Sequence, residues 1–351
     1  MANLPTHRRK WLVTKRGTPA EALQLVENDP IPSLEKGEIL VKVHFSALTP
    51  SLGRLMGIVH WPLRSGPAIT ELEFGGWVAN TNGNPRFNEN DEVIGMVQVP
   101  PHLKRGRGTM AEYIAIDAEE VVKKPAGVSL RDASGLPGAG LTAWQSLITV
   151  GKLTRGQRVF VNGGSSPTGS CAIQIAKAMG ATEVVTSCSA GNFDLVKSLG
   201  ADIALDYTKS PLVDQLRDLK ASFDIIFDAI GIQDLYASSA DYLVPSGKYL
   251  SIAFEPMHKD GFKRFTKELF RFLGNFIWPA WAGGIPRKFY FVNGRMSKED
   301  LEMVADLAQQ GKLRVPVDSV HKSNREGVLA AYDRILSSRA KGKVLVNMLE
   351  Y

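Results

Sequence analysis

Val-Phe-Val-Asn-Gly-Gly-Ser-Ser-Pro-Thr-Gly-Ser-Cys-Ala-Ile-Gln-Ile-Ala-Lys-Ala-Met-Gly, residues 159–180, joins a short apolar run to a glycine- and serine-rich turn and then to a helical pattern. Residues 159–161 read as a buried strand. Beyond the turn, Ala172, Ile173, Ile175, Ala176 and Met179 recur at three- and four-residue spacing, which predicts a helix. Strand, tight turn and helix make the phosphate-binding corner of a dinucleotide fold. There the first N–H groups of the helix lack partners within it, and the macrodipole favours a negative group. Pro167 suits the first helical position and Ser166 the cap before it. The Gly-x-Gly-x-x-Gly fingerprint is met by Gly164 and Gly169, with Ser166 at the middle position. A serine there either offers its hydroxyl to a ligand or holds the chain slightly off. On these residues alone, an ordinary glycine turn between strand and helix is an equal reading.

Residues 183–187 read as the second strand. A strand that binds NAD usually ends in an acid for the ribose 2′-hydroxyl. This one runs out through Ser187, Cys188, Ser189, Ala190, Gly191 and Asn192, with no carboxylate until Asp194. A neutral, hydroxyl-rich end leaves room for a 2′-phosphate, so the expected cofactor is NADPH.

Outward from this stretch, residues 192–199, 211–219 and 234–243 read as helices, and 203–205, 224–229, 247–252 and 289–292 as strands. Such alternation predicts an α/β, doubly wound parallel sheet. Upstream, residues 10–128 read as all-β. Ile39, Val41, Val43 and Phe45 alternate with Leu40, Lys42 and His44 as in a half-buried strand, on whose polar face His44 is read as solvated. Residues 74–79, 92–99 and 111–116 read as further strands, with turns at 82–85 and at Pro100-Pro101. Residues 129–135 and 141–150 read as helical, 298–310 as a helix with an apolar face, and 315–320 and 343–348 as β again. That return suggests three segments: 1–128 and 297–351 form a β-rich domain around a 129–296 dinucleotide-binding domain.

The chain has 351 residues, long enough for full cores in two domains. Its net charge of +6 is spread over 42 Lys and Arg and 36 Asp and Glu, which argues against a nucleic-acid partner. Two cysteines exclude a disulfide framework, and the N-terminus has no apolar run of a secretory signal, so a cytoplasmic location is expected.

Several short motifs follow one another in a specific order: Gly140-Leu141-Thr142-Ala143-Trp144, the glycine turn, Lys197-Ser198-Leu199-Gly200-Ala201-Asp202, Asp206-Tyr207, the run from Phe223 to Gly231, and Lys341-Gly342-Lys343-Val344. In this the chain resembles the medium-chain dehydrogenase/reductase superfamily, in its zinc-free, quinone oxidoreductase-like and enoyl reductase-like branch. The resemblance spans nearly the whole chain except about 257–288. It implies a GroES-like β domain, a Rossmann domain, and a cleft between them for NADPH and substrate. Thr142 matches the position on the nicotinamide side, and Ser165, Ser166, Pro167 and Thr168 match the pyrophosphate loop. Ser187, Ser189 and Asn192 fall where the family holds the 2′-phosphate, with Tyr207 beside it. Ile230, Gly231, Ala253 and Phe254 fall where the nicotinamide ring is lined. Many relatives carry a Lys or Arg after the second strand, where this chain has Ala190-Gly191, removing a charge-assisted contact. Relatives also carry an Asn-Pro-x-Asp type motif that here reads Thr49-Pro50-Ser51-Leu52. Thr49 stands in for the asparagine, the acid is missing, and Arg54 follows closely.

Zinc dehydrogenases of that superfamily need thiolate and imidazole ligands in the first domain. Here Cys171 and Cys188 lie in the nucleotide-binding half, the family's Gly-His-Glu place is read as Phe74-Gly75-Gly76, and 94–116 contains no cysteine. Cys171 reads as a small core residue, and Cys188 as a cofactor-pocket wall. The expectation is therefore metal-independent hydride transfer to an acceptor that is already electrophilic, an activated double bond or a quinone. Thr49, Ser51 and Arg54 are the candidates for steadying the oxygen that gains charge. Leu52, Met56, His60, Trp61, Phe254 and Trp278 are candidates for a hydrophobic substrate pocket. Two alternatives stand beside this reading: a natural-product tailoring enoyl reductase, and a non-catalytic NADPH-binding scaffold. Residues 259–288 mix Phe, Leu, Ile and Trp with Lys and Arg at helical spacing, so they serve as a core or dimer face, a lid, or a peripheral membrane contact. A free edge at 289–292 would suit a homodimer.

Overall fold

The computed structural model describes residues 4–57, 66–253, 262–278 and 280–351. It divides into two units, residues 1–141 with 295–351, and residues 142–294.

The second unit carries six parallel strands. In chain order these are Arg158–Asn162, Glu183–Cys188, Ile203–Asp206, Phe223–Asp228, Leu243–Ser251 and Lys288–Phe291. In space they run 3-2-1-4-5-6, the order of a Rossmann sheet. Helices cover the faces because each central strand is apolar on both sides: Val159, Phe160, Val161, Ile226 and Phe227 are all fully buried. The strand order reverses between Arg158–Asn162 and Phe223–Asp228, and ligands of such sheets bind in the crevice outside the carboxyl ends at that point.

The first unit is built on a seven-stranded sheet. Its central strand, Glu38–Ala47, pairs with Glu73–Asn80, Tyr113–Asp117 and Lys343–Asn347. Ile39, Val41 and Val43 are fully buried as the alternation requires, but Leu40 is buried as well, because both faces of the strand are covered. His44, read as solvated, instead stacks between Phe45 and Trp77 with Nδ1 buried, and burial lowers its pKa. A smaller sheet of Leu23–Pro30, His7–Val13 and Ala68–Ile69 packs with it through Trp11, whose indole donates to the Ser323 carbonyl at 2.9 Å. The chain's return supplies Val317–Lys322 and Lys343–Asn347 as parallel strands, with Arg325–Leu336 as the crossover helix between them.

The all-β reading of 10–128 is corrected at three places. Pro19–Ala22, Pro50–Leu55 and Val99–Arg105 are helices, each with proline in its first turn, where the missing N–H removes no bond. The strand read as 92–99 accordingly stops at Met96.

Candidate functional site

The corner after the first Rossmann strand has room only for glycine at three positions. Gly163 turns with φ +81°, and its N–H and that of Gly164 are held at 2.9 Å by the Ser187 hydroxyl and carbonyl. A Cβ on Gly164 would lie 2.0 Å from Thr186 Oγ1, and one on Gly169 2.2 Å from the Gly163 carbonyl oxygen. Ser166 caps the helix Pro167–Ala178: its hydroxyl donates to the Gly163 carbonyl at 2.7 Å and accepts the Gly169 N–H at 3.1 Å. Of the two roles open to Ser166, the loop itself takes the hydroxyl. Pro167 is the first helical residue; Ser165 and Thr168 are half-buried beside it. By the geometry of a helix start, the Thr168 N–H has no acceptor within the helix, which fits an anionic diphosphate.

Strand Glu183–Cys188 delivers the next group. Ser187 is buried and donates to Asn162 Oδ1 at 2.6 Å, so its hydroxyl shapes the corner. Asn192 donates to Ser189 through its backbone (2.9 Å) and its side chain (3.2 Å), which leaves its buried Oδ1 unpartnered. An orphaned acceptor at this place suits a ribose hydroxyl. Tyr207, which follows the third strand, is 58% exposed. One carboxylate does approach from the neighbouring strand: Asp206 accepts Thr208 Oγ1 at 2.6 Å and its N–H at 3.0 Å, bonds that hold its pKa below the usual carboxylate range. Burial, then Asp206, pushes the Cys188 thiol up to about 11, so it is no thiolate nucleophile near neutrality. Cys171 is fully buried in the helix.

A residue that reading of the sequence passed over ties the corner together. Buried Asp228 accepts Asn162 Nδ2 (2.7 Å), the N–H groups of Ile230, Gly231 and Ile232 (2.9–3.0 Å) and the Tyr249 hydroxyl (2.7 Å). The loop after the fourth strand therefore wraps around one carboxylate, with Gly231 at φ +86° and Ile230 lying over Gly163. The available signal was an acid closing a wholly buried strand, a group that must be satisfied internally. Ala253 follows the fifth strand, its carbonyl accepting the Ser251 hydroxyl at 2.9 Å. Thr142 lies against Gly294, where a Cβ would come within 2.3 Å of Thr142 Oγ1. Phe254 falls outside the described residues.

In the first unit, Thr49 precedes the helix Pro50–Leu55 and is held by two buried acids. Its N–H donates to Glu71 at 2.8 Å and its hydroxyl to Glu73 at 3.3 Å. Glu71 is fully buried at φ +62°, a left-handed conformation unusual for a residue with a side chain, and it also accepts the Tyr332 hydroxyl at 2.6 Å. Burial outweighs these bonds and pushes its pKa up to about 7. Glu73 accepts the Gly138 N–H at 2.9 Å and pairs with Lys343, equally buried. Neither acid was singled out from sequence, because their partners lie in the C-terminal return. Ser51 is exposed, Leu52 and Arg54 are half-buried, and Arg54 reaches Ser338 Oγ at 3.3 Å. Met56, expected in the substrate pocket, belongs instead to the core around Trp11 and Tyr332. His60 and Trp61 lie outside the described residues, and Trp278 stands exposed on the second unit.

The place read as the family's metal motif is occupied by packing. Phe74 is fully buried, and a Cβ on Gly75 or Gly76 would strike Ser134 Oγ or the Lys42 carbonyl at 2.1–2.2 Å. Among the described residues, no three His, Cys, Asp or Glu side chains gather to hold a metal.

Sheet order and glycine corner define a dinucleotide-binding protein with a separate β-rich unit. A family model described as zinc-binding dehydrogenase matches residues 167–275. A trans-enoyl reductase of Aspergillus terreus is 32% identical, over 99% of this chain and 98% of its own length. A medium chain reductase of Acremonium is 29% identical over 97% and 98%. Among solved structures, the quinone oxidoreductase from Coxiella burnetii superposes with a TM-score of 0.78 at 24% identity, covering 97% of this chain and 99% of that one. The chain belongs to the medium-chain dehydrogenase/reductase superfamily, in its enoyl reductase-like branch, and is an oxidoreductase. Relatives in this family generally bind a nicotinamide cofactor.

Proposed function

We propose that the protein is an NADPH-dependent, metal-independent reductase that delivers hydride to an activated double bond, or to a quinone, of a hydrophobic small molecule. The observation that carries this reading is the end-to-end likeness to a trans-enoyl reductase. When bound, the nicotinamide supplies the hydride; the chain supplies everything that orients it. The helix start at Pro167 and Thr168 faces the diphosphate, Ser189, Asn192 and Tyr207 the adenosine ribose, and Thr142, Ile230, Gly231 and Ala253 the nicotinamide. Thr49, Ser51 and Arg54 are the substrate-side groups, with the Arg54 cation steadying an oxygen that gains charge. Independence from zinc is supported by the two cysteines, both buried in the dinucleotide unit and so withheld from the β-rich one.

Purified protein mixed with NADPH and a panel of enones and quinones tests the reading. Consumption of NADPH with enones is expected. Binding of NADPH without oxidation by any acceptor would replace the reductase with a scaffold protein. NADPH is expected to bind at least about tenfold more tightly than NADH, and Tyr207→Ala to narrow that gap. Equal affinities for the two cofactors would defeat the NADPH preference.

A further inference from the structure

The helix Phe262–Ile277 has one anchored side and one open side over its second half, from Phe270 onward. On the anchored side, Arg271 pairs with Asp234 at 2.6 Å and Asn275 Nδ2 donates to Gln233 Oε1 at 2.8 Å. Phe272 meets Phe289 and Phe291 edge-on, at 5.8 and 5.2 Å between ring centroids. On the open side, Phe270 is 74% exposed, Ile277 76% and Trp281 89%, with Leu273 and Trp278 also exposed. A Cβ on Gly274 would meet nothing within 4 Å. The Trp278 indole N–H is satisfied by the Ala282 carbonyl at 2.8 Å, so the ring can meet an apolar medium without a stranded donor. Large apolar side chains gathered this way on a soluble protein mark a contact surface.

Charge distinguishes the partner. Residues 259–288 hold seven Lys or Arg and two Asp or Glu, so this stretch supplies five of the six net positive charges of the chain. A second copy of the chain is a poor occupant, because a twofold contact would set the same cationic stretch against itself. Aromatic rings interleaved with cations match the anionic surface of a phospholipid bilayer, where apolar groups enter the acyl boundary and cations stay among the headgroups. No described helix is long and apolar enough to cross a membrane, and this one has 16 residues, so it would lie in the plane of the surface.

We infer that the open face of the second half of this helix, Phe270, Leu273 and Ile277, together with Trp278 and Trp281, is a peripheral docking surface for anionic membranes. The inference is independent of the reaction catalysed. The full-length protein is sedimented with phosphatidylcholine vesicles, plain or containing about a quarter phosphatidylserine. About tenfold more protein is expected on the anionic vesicles, with a blue shift of tryptophan fluorescence, and release at about 0.5 M salt. The double variant Phe270→Ser/Ile277→Ser is expected to lose that binding about tenfold while its melting temperature and NADPH affinity stay unchanged, since both side chains face solvent. Equal binding to the two kinds of vesicle, or none to either, overturns the inference. So does a concentration-dependent dimer, without lipid binding, that the double variant dissociates.

Discussion

The glycine corner and the buried carboxylate pair hold their functional residues by opposite means. In the corner, close packing leaves no space: Gly163 meets Ile230, Gly164 meets Thr186 and Gly169 meets the Gly163 carbonyl. Around Thr49, the fixing groups come from far along the chain, Tyr332 to Glu71 and Lys343 to Glu73. The first arrangement rests on steric exclusion, with the buried Asp228 carboxylate holding the adjoining loop. The second rests on a proton and a charge placed out of water, and is sensitive to both.

Three substitutions test that contrast. Gly169→Ala sets a methyl 2.2 Å from the Gly163 carbonyl, so the helix start must retreat from the turn. We expect cofactor affinity to fall about 100-fold, or about 2.7 kcal/mol, in a fluorescence titration with NADPH. An unchanged affinity would remove the diphosphate from this corner. Glu71→Gln acts on the other region. In the folded chain Glu71 holds its proton up to about pH 7, against 4.5 ordinarily, so the native state binds that proton more tightly than the unfolded one does. The resulting stability is fully present below about pH 4.5 and is lost as pH rises through 7, an effect on the order of 3 kcal/mol at most. Urea unfolding across this window should give a flatter profile for Glu71→Gln, with NADPH affinity preserved. Glu120, raised to about 7 mainly by burial, leaves a residual slope of the same sign. If the slope of the variant matches the parent, Glu71 does not titrate there. The smallest effect is that of Ser166→Ala, which removes the cap but leaves the glycines. About 1 kcal/mol of stability should be lost in thermal unfolding, and no loss would mean that the cap bonds are replaced by water.

The same contrast explains what could be read in advance. All six strands of the Rossmann sheet were legible, because each is a short apolar run bounded by turn residues, the central ones buried on both faces. The β-rich unit was legible in its large sheet, at Glu38–Ala47, Glu73–Asn80, Glu92–Met96, Tyr113–Asp117, Val317–Lys322 and Lys343–Asn347, but not in its small one. His7–Val13 reads His-Arg-Arg-Lys-Trp-Leu-Val, whose cations are drawn into pairs such as Arg8 with Asp29, so its apolar pattern is weak. Pro100-Pro101 looked like a turn and instead opens a helix. Of the site, the turn and cap followed from local chemistry. Asp228 was missed although it closes a buried strand, and Glu71 and Glu73 were missed because an acid in a sequence gives no sign that a tyrosine or lysine hundreds of residues away will enclose it.

The hydroxyl of Thr49 has one hydrogen, and Glu73 receives it. What that oxygen presents outward is lone pairs alone, so it can grip a sugar hydroxyl but has nothing to give a carbanion. On the proposed reaction, then, the second hydrogen of a saturated product would come from another exchangeable group, such as the Ser51 hydroxyl, or from solvent. Turnover in heavy water would mark one carbon of the product with deuterium and leave the carbon that receives the hydride unlabelled.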